Sequence, residues 1–402
     1  ILQAVEENEF DEDLSTLIAR TKFFRGMAYF KLAHCYGRVP IVLEPVEKIS
    51  NINKPKAESV EAVWDQAISD ITAAVPDIPV DVEVPGRLSK GAAKAFLGKV
   101  YLFRADYLNN DSYYSNAASQ FGDVVTGSQY DYALVDTWVN NFLDGETEHN
   151  KESLYEANYE LHSGSYSATQ PRVGNASVPG IAQEIVSTPS EWLFNEMRQE
   201  QTTDGNMDPR LLNTIFFQGG YKLFGVAYSE MTNTLSCGEG SGGSFTLDGE
   251  SVPAEFEGYF RKYLNVDQSC DDPLSATNNE RVLRYADVLL MYAESLLKSG
   301  APLSDVATQM NKVRNRANLS DVSFASQQEA MDEIKHQRVV ELAMEGKRYF
   351  DLIRWGELKE ALNAHGFSSQ ASNVDEEKFK YFPIPIGEVN QNEALEQNPL
   401  WQ

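Results

Sequence analysis

The chain has 402 residues, 42% hydrophobic and 11% aromatic, enough to bury one large core or about two to three smaller ones. Its 34 Lys and Arg stand against 60 Asp and Glu, a formal net charge of -26 that opposes nucleic acid, anionic membrane surfaces and polyanionic ligands and leaves neutral or cationic ligands favoured. No run of about 18 apolar residues predicts a membrane-spanning helix, and 5 scattered histidines without CxxC or HxxxH spacing argue against a zinc centre.

The opening stretch ILQAVEENEFDEDL begins at Ile1 and reads as the middle of a helix pair. An upstream segment is therefore expected, and any signal peptide or lipid-attachment cysteine would lie there. From Leu14 to Tyr36 apolar residues recur at helical spacing, through Leu17, Ile18, Phe23, Phe24, Met27 and Phe30, and Gly37 and Pro40 predict an abrupt stop. Within this helix Cys35 reads as a small buried hydrophobe. Helices are predicted over 57–75, 89–108 and 112–128, with Ser59 and Ser89 as N-caps. Gly91, Ala92, Ala95 and Gly98 would let neighbouring helices approach closely. Antiparallel pairs of about 34 residues with small-residue stripes suggest tetratricopeptide-like stacking.

From about Tyr130 to Asn279 the character changes. Short strand-like runs (SLYEANYEL, YKLFGVAY, SFTL) alternate with long loops rich in Gly, Ser, Asn and Thr. Loops of this length in a compact protein tend to be functional or mobile. Cys237 and Cys270 flank a Gly-rich segment, and the sequence leaves open whether they are bridged. The stretch GEGSGG lacks the GK[ST] ending of a phosphate loop. Helical period returns at Glu280 and persists to about Gly366, followed by an extended, Pro-rich tail expected to wrap over the scaffold. The predicted organisation is a helical scaffold over 1–129, a variable loop-rich region over 130–279, and a helical scaffold with tail over 280–402. The fold class is mostly α, with a partly β insert.

One stretch poses a question of chemistry. RVVELAMEGKRYFDLIRWGEL sets Arg338, Glu341 and Glu345 on one face of a helix running to Glu345, allows a break at Gly346, and aligns Arg348, Asp351 and Arg354 on a second helix. Glu341 and Glu345 would serve as an acid/base pair for glycoside hydrolysis only if one had a raised pKa. Nearby arginines act in the opposite sense, so structural ion pairing between packed helices is expected.

The same stretch, with RYADVLLMYAESLLKSG, MNKVRNRANL, YFPIPIGEVNQNEALEQNP and ARTKFFRGMAYFKLAHCYGRVPIVLEP, resembles the SusD/RagB family of Bacteroidetes glycan-binding lipoproteins. The motifs fall in family order at both ends of the chain, and KESLYEANY, TPSEWLFNEM and DPRL add weaker similarity in the middle. The resemblance implies tetratricopeptide-like helix pairs that cradle a variable ligand-binding region. It also implies a protein lipid-anchored at the outer-membrane surface that captures glycan without cleaving it and acts as a lid on a SusC-like TonB-dependent transporter. The family's N-terminal segment, with its lipidated cysteine and some ligand contacts, would precede Ile1; membrane attachment would run only through that anchor.

A neutral glycan offers CH faces and hydroxyls, so a binding site needs aromatic platforms ringed by hydrogen-bonding side chains. Tyr166, Gln170, Arg172 and Asn175 in one loop, Trp192, and Tyr221, Phe224 and Tyr228 around YKLFGVAY are the candidates. Phe224 and Tyr228 alternate along a predicted strand and read first as packing residues; Trp192 stands beside Leu193 and Phe194 and reads first as core. Trp64, Trp138, Trp355 and Trp401 are expected to be structural. No cofactor is expected, because a calcium ion on the Asp- and Asn-rich loops has no recognised ligand spacing behind it. The ligand expected is a neutral polysaccharide or oligosaccharide, a β-glucan first, then mannan or an α-glucan. A protein-binding tetratricopeptide scaffold and, behind it, a glycoside hydrolase are the alternatives.

Overall fold

A computed structural model describes residues 2, 14–44, 53–143, 145–159, 188–221, 234–236, 244–246, 258–263 and 278–402. The described residues are mostly helical, and the chain divides into two compact units: Ile1–Tyr130 with Glu294–Ala301 and Tyr349–Gln402, and Asp131–Ala293 with Pro302–Arg348.

The first unit opens with α1 (Ser15–Tyr36), which buries Ala19, Phe23, Gly26, Phe30 and Ala33 at alternating steps of four and three. That spacing keeps one stripe turned to α2 (Val60–Ala74). The two helices meet closely at Gly26, where a Cβ would come within 2.6 Å of Ile71 and 2.9 Å of the Ala67 carbonyl. Helix α3 (Lys90–Leu108) packs likewise on α4 (Ser112–Thr126), and a Cβ at Gly98 would lie 2.8 Å from the Phe121 ring. Gly91, Ala92, Ala95 and Gly98 are all buried, as their size suggested. Phe23, Phe30, Trp64, Phe96, Phe103 and Tyr107 interlock in the core, and edge-to-face pairs such as Phe30–Phe96 have centroids 5.4 Å apart.

The predicted helix ends hold. Gly37 caps α1 at φ 68°, a left-handed conformation that needs glycine. Ser59 and Ser89 each accept a backbone N–H three residues on, from Ala62 and Ala92. Ser89→Ala is expected to lower stability by about 1 kcal/mol, readable as a shifted denaturant midpoint with unchanged slope. Cys35 departs from expectation: it is half-buried, because the last turn of α1 turns its flank outward.

The tail does wrap over this unit, but it is not extended throughout. The helical run expected to Gly366 ends in α11 (Leu358–Ala364), and the tail beyond it forms α12 (Ser368–Ala371), α13 (Glu376–Phe379), α14 (Ile386–Gln391) and a 3-10 turn at Pro399–Trp401. Pro385 and Pro399 start two of these turns, where a fixed φ suits the helix and the missing N–H costs nothing. The tail is tied to the exit of α1 by the Phe382 N–H on the Cys35 carbonyl (2.7 Å) and by Asn398, whose amide donates to the Tyr36 and Phe382 carbonyls.

The second unit contains β1 (Ser153–Ala157), α5 (Glu191–Met197), α6 (Pro209–Thr214), β2 (Ile215–Phe217), β5 (Gly258–Phe260), β6 (Glu280–Arg284), α8 (Leu303–Arg316) and α9 (Gln327–Leu342). A short hairpin, β3 (Thr234–Ser236) with β4 (Ser244–Thr246), is also present. Residues 280–284 are a strand and not the helix start expected from the sequence. They pair antiparallel with β1, Ser153 opposite Arg284 and Ala157 opposite Glu280, so helix α7 (Tyr285–Lys298) begins only where that ladder ends. Helix α9 likewise stops at Leu342, short of Glu345, and the chain passes through Met344 (φ 65°) and Gly346 (φ 68°) before α10 (Arg348–Trp355). Strands β2 and β5 pair with Ile215 opposite Phe260 and Phe217 opposite Gly258. A cluster of Met197, Leu211, Ile215, Phe217, Phe260 and Val340 fixes α5, α6 and this strand pair on α9.

Candidate functional site

The charged hairpin builds interior ion networks. In the second unit Glu341 is fully buried, and its carboxylate receives Arg284 Nη1 (2.6 Å), Arg210 Nη1 (3.1 Å), the Trp138 indole N–H (3.0 Å) and Arg316 Nη2. Arg284 also reaches Glu345 (2.8 Å from Nε, 2.7 Å from Nη2), Glu152 (2.8 Å) and the Glu341 carbonyl (2.7 Å). Lys262 donates to Glu345 (2.8 Å) and lies 4.0 Å from the Phe142 ring centroid; its burial, only partly offset by Glu345, pushes its pKa down to about 8. Burial alone would raise the Glu341 carboxyl, but Arg316, Arg284 and Arg210 outweigh it and hold the group well below the ordinary range. Glu345 is lowered too, against its burial, by Arg284 and Lys262. Neither carboxyl is a general acid at neutral pH.

The partners differ from those the sequence suggested. Arg338 pairs with Asp287 at 3.0 Å and not with Glu341. Arg348 stands 5.6 Å over the Trp192 ring, a partner that spacing along its own helix does not suggest. In the first unit Arg354 bridges Glu294 (2.5 and 2.6 Å), Asp106 (2.7 Å) and Asp351 (2.9 Å), and Lys298 adds contacts to Asp106 (2.7 Å) and Glu294 (2.8 Å).

Helix α5 is fixed to α9 by a second device. His336 lies between Glu196 (Nδ1 to Oε1, 2.7 Å) and Glu200 (Nε2 to Oε2, 3.4 Å). Burial disfavours its charge, yet the hydrogen bonds to Glu196 and Glu200 prevail and raise its pKa to about 9. A raised folded-state value contributes stability fully present below the unfolded value of about 6.5, lost as pH climbs through 9. His336→Gln is expected to flatten this loss between pH 6.5 and 9, an effect below about 3 kcal/mol, in denaturation curves at several pH values.

Of the glycan candidates, Tyr166, Gln170, Arg172, Asn175, Phe224 and Tyr228 lie outside the described residues, as do Cys237 and Cys270. Trp192 and Tyr221 are described, on different elements of the second unit. Ser190 caps α5, accepting the Leu193 N–H, and sends Leu193 and Phe194 onto the apolar cluster, with Phe194 edge-on to Phe217 at 4.8 Å. Trp192 stays half-buried, beside Arg348. Tyr221 follows the Gly219–Gly220 turn after β2 and is 48% exposed. Gly219 adopts φ 88°, a conformation that favours glycine, and a Cβ at Gly220 would press on the Phe217 ring at 3.0 Å. Buried Arg261, just after β5, donates to the Tyr221 carbonyl (3.2 Å) and places its guanidinium 6.0 Å from the Tyr221 ring centroid. An exposed ring backed by a fixed cation suits a sugar's CH face and hydroxyls. The partners Arg261 and Arg348 escaped sequence reading; an Arg directly after the apolar strand residues GYF was the only signal for the first.

Among the described residues no helix is long and apolar enough to cross a membrane. Trp64 and Trp138 are buried, Trp355 donates to Glu294 (2.8 Å) and Trp401 to the Tyr381 carbonyl (2.9 Å), as expected of structural residues.

Residues 102–401 match the profile of the SusD family, and residues 1–102 match one described as starch-binding associating with outer membrane. A SusD-like protein of Formosa agariphila is 24% identical over 97% of this chain and 75% of its own length. The starch-binding protein SusD of Bacteroides thetaiotaomicron is 31% identical over 29% of this chain and 20% of its own. Among solved structures, a SusD superfamily protein from Bacteroides vulgatus is 26% identical with a TM-score of 0.81, covering 100% of this chain and 82% of that one. A laminarin-binding SusD-like protein is 26% identical with a TM-score of 0.71, covering 99% and 82%.

Proposed function

We propose that this chain, which belongs to the SusD family, captures a neutral polysaccharide at the outer-membrane surface by stacking it on exposed aromatic rings beside fixed arginines. The observation that carries the reading is Tyr221, nearly half exposed on a glycine turn and backed by buried Arg261. A β-glucan is the first ligand to try: the net charge of -26 disfavours polyanions, and a 26% identical relative is laminarin-binding, laminarin being a neutral β-glucan. Capture without cleavage fits the ionised state of Glu341 and Glu345. A lipid anchor upstream of Ile1 and transfer of the glycan to a SusC-like TonB-dependent transporter complete the proposal; both rest on the family pattern.

Calorimetric titration with laminarin, mannan, an α-glucan and alginate tests it. The expected result is binding to a neutral glucan, weakened about five- to tenfold by Tyr221→Ala, the loss of roughly 1 kcal/mol of ring stacking, with no new reducing ends. Binding to alginate alone, or a Tyr221→Ala variant that binds as the parent does, would overturn the reading.

A further inference from the structure

A pocket of about 390 Å³ lies in the first unit, between the exit of α1 and the C-terminal tail. It is built from other residues than the glycan site proposed above, and the inference does not rest on that reading. Its walls include Tyr36, Tyr381 and Trp401, and three cations, Arg38, Lys56 and Lys378, face two carboxylates, Glu377 and Glu396. In a chain where acids outnumber bases 60 to 34, a small pocket with the opposite balance calls for a reason.

The cations are held in place and have donors to spare. The Arg38 Nε donates to the Ala57 carbonyl (2.8 Å), and its exposed guanidinium makes no further hydrogen bond among the described residues. Lys56 donates to Asn398 (3.0 Å), itself anchored on the Tyr36 and Phe382 carbonyls. Lys378 lies 4.4 Å from the centroid of Trp401, whose indole N–H is fixed on the Tyr381 carbonyl at 2.9 Å. Burial and then Arg38 make the Lys56 charge less favourable than usual, and Glu396 offsets this only in part. A bound anion would relieve that crowding.

We propose that this pocket binds a sugar that carries a carboxylate, a uronic acid residue, with Arg38, Lys56 and Lys378 around the carboxylate and the tyrosine rings against the sugar. The cations supply charge-assisted hydrogen bonds, the rings an apolar wall for CH groups, and the volume suits one or two sugar units.

Glucuronate is the probe, titrated by calorimetry or ligand-observed NMR beside glucose and acetate. Glucuronate is expected to bind at least about tenfold more tightly than either control, to weaken at high salt, and to lose about tenfold in Arg38→Gln and Lys378→Gln variants, whose unchanged melting temperatures show that they fold. Tyr221→Ala should bind it as the parent does. Equal affinity for glucose removes the role of the cations, and equal affinity for acetate removes that of the rings. Full binding in both Gln variants, or loss in Tyr221→Ala, places the ligand elsewhere; each of these results overturns the proposal.

Discussion

Arg284→Met is expected to destabilise the fold by about 3–5 kcal/mol, the usual consequence of stripping one partner from a buried ion network. Four cations, Arg284, Arg316, Arg210 and Lys262, are matched there with four carboxylates, Glu341, Glu345, Glu152 and Asp208. Methionine fills much of the volume, so lost packing is the smaller part, and one buried negative charge remains uncompensated. The pH dependence separates the two causes. In the parent the depressed Glu341 and Glu345 contribute stability present above the unfolded value of about 4.5 and lost as pH falls through their folded values. In the variant the excess charge raises a carboxyl above its unfolded value, so acidification from pH 7 towards 5 should narrow the deficit. Urea midpoints at both pH values measure this; a deficit that does not change with pH would mean that packing and not charge dominates.

Arg354→Met should cost a similar 3–5 kcal/mol in the first unit, because Glu294, Asp106 and Asp351 would lose the one guanidinium that bridges all three, while the ion pairs of Lys298 in that network go to Asp106 and Glu294. Arg354→Lys keeps the charge but not the planar fork that meets three carboxylates at once, and about half the loss is expected. If the lysine variant matches the parent, charge alone accounts for the network and the fork geometry is irrelevant. Denaturation midpoints of the two variants decide between these outcomes.

The charged hairpin also shows how far sequence reading reaches. Its structural role followed from the number of arginines near Glu341 and Glu345, and the ionised carboxylates bear that out. The pairing did not follow: Arg284 lies 57 residues from Glu341, and Trp138 lies 203 away. Spacing along one helix says which charges share a face, and it is silent on what that face meets. The same limit explains Glu280–Arg284, whose apolar residues continue the run into α7 yet are claimed by the ladder with Ser153–Ala157. At the candidate site, the aromatic character of Tyr221 was legible, but its exposure and its backing by Arg261 were not.

What the sequence determined by itself is local: the helical stripe of α1, the serine caps at Ser59 and Ser89, and the stop at Gly37. These depend on backbone geometry within a few residues, which composition and spacing encode directly. The tertiary structure alone decided which buried charges neutralise each other, which arginine supports Tyr221, and which cations the C-terminal tail gathers beside Tyr36. Each of those is a contact between distant segments, fixed only when the chain has packed and water has left the interior.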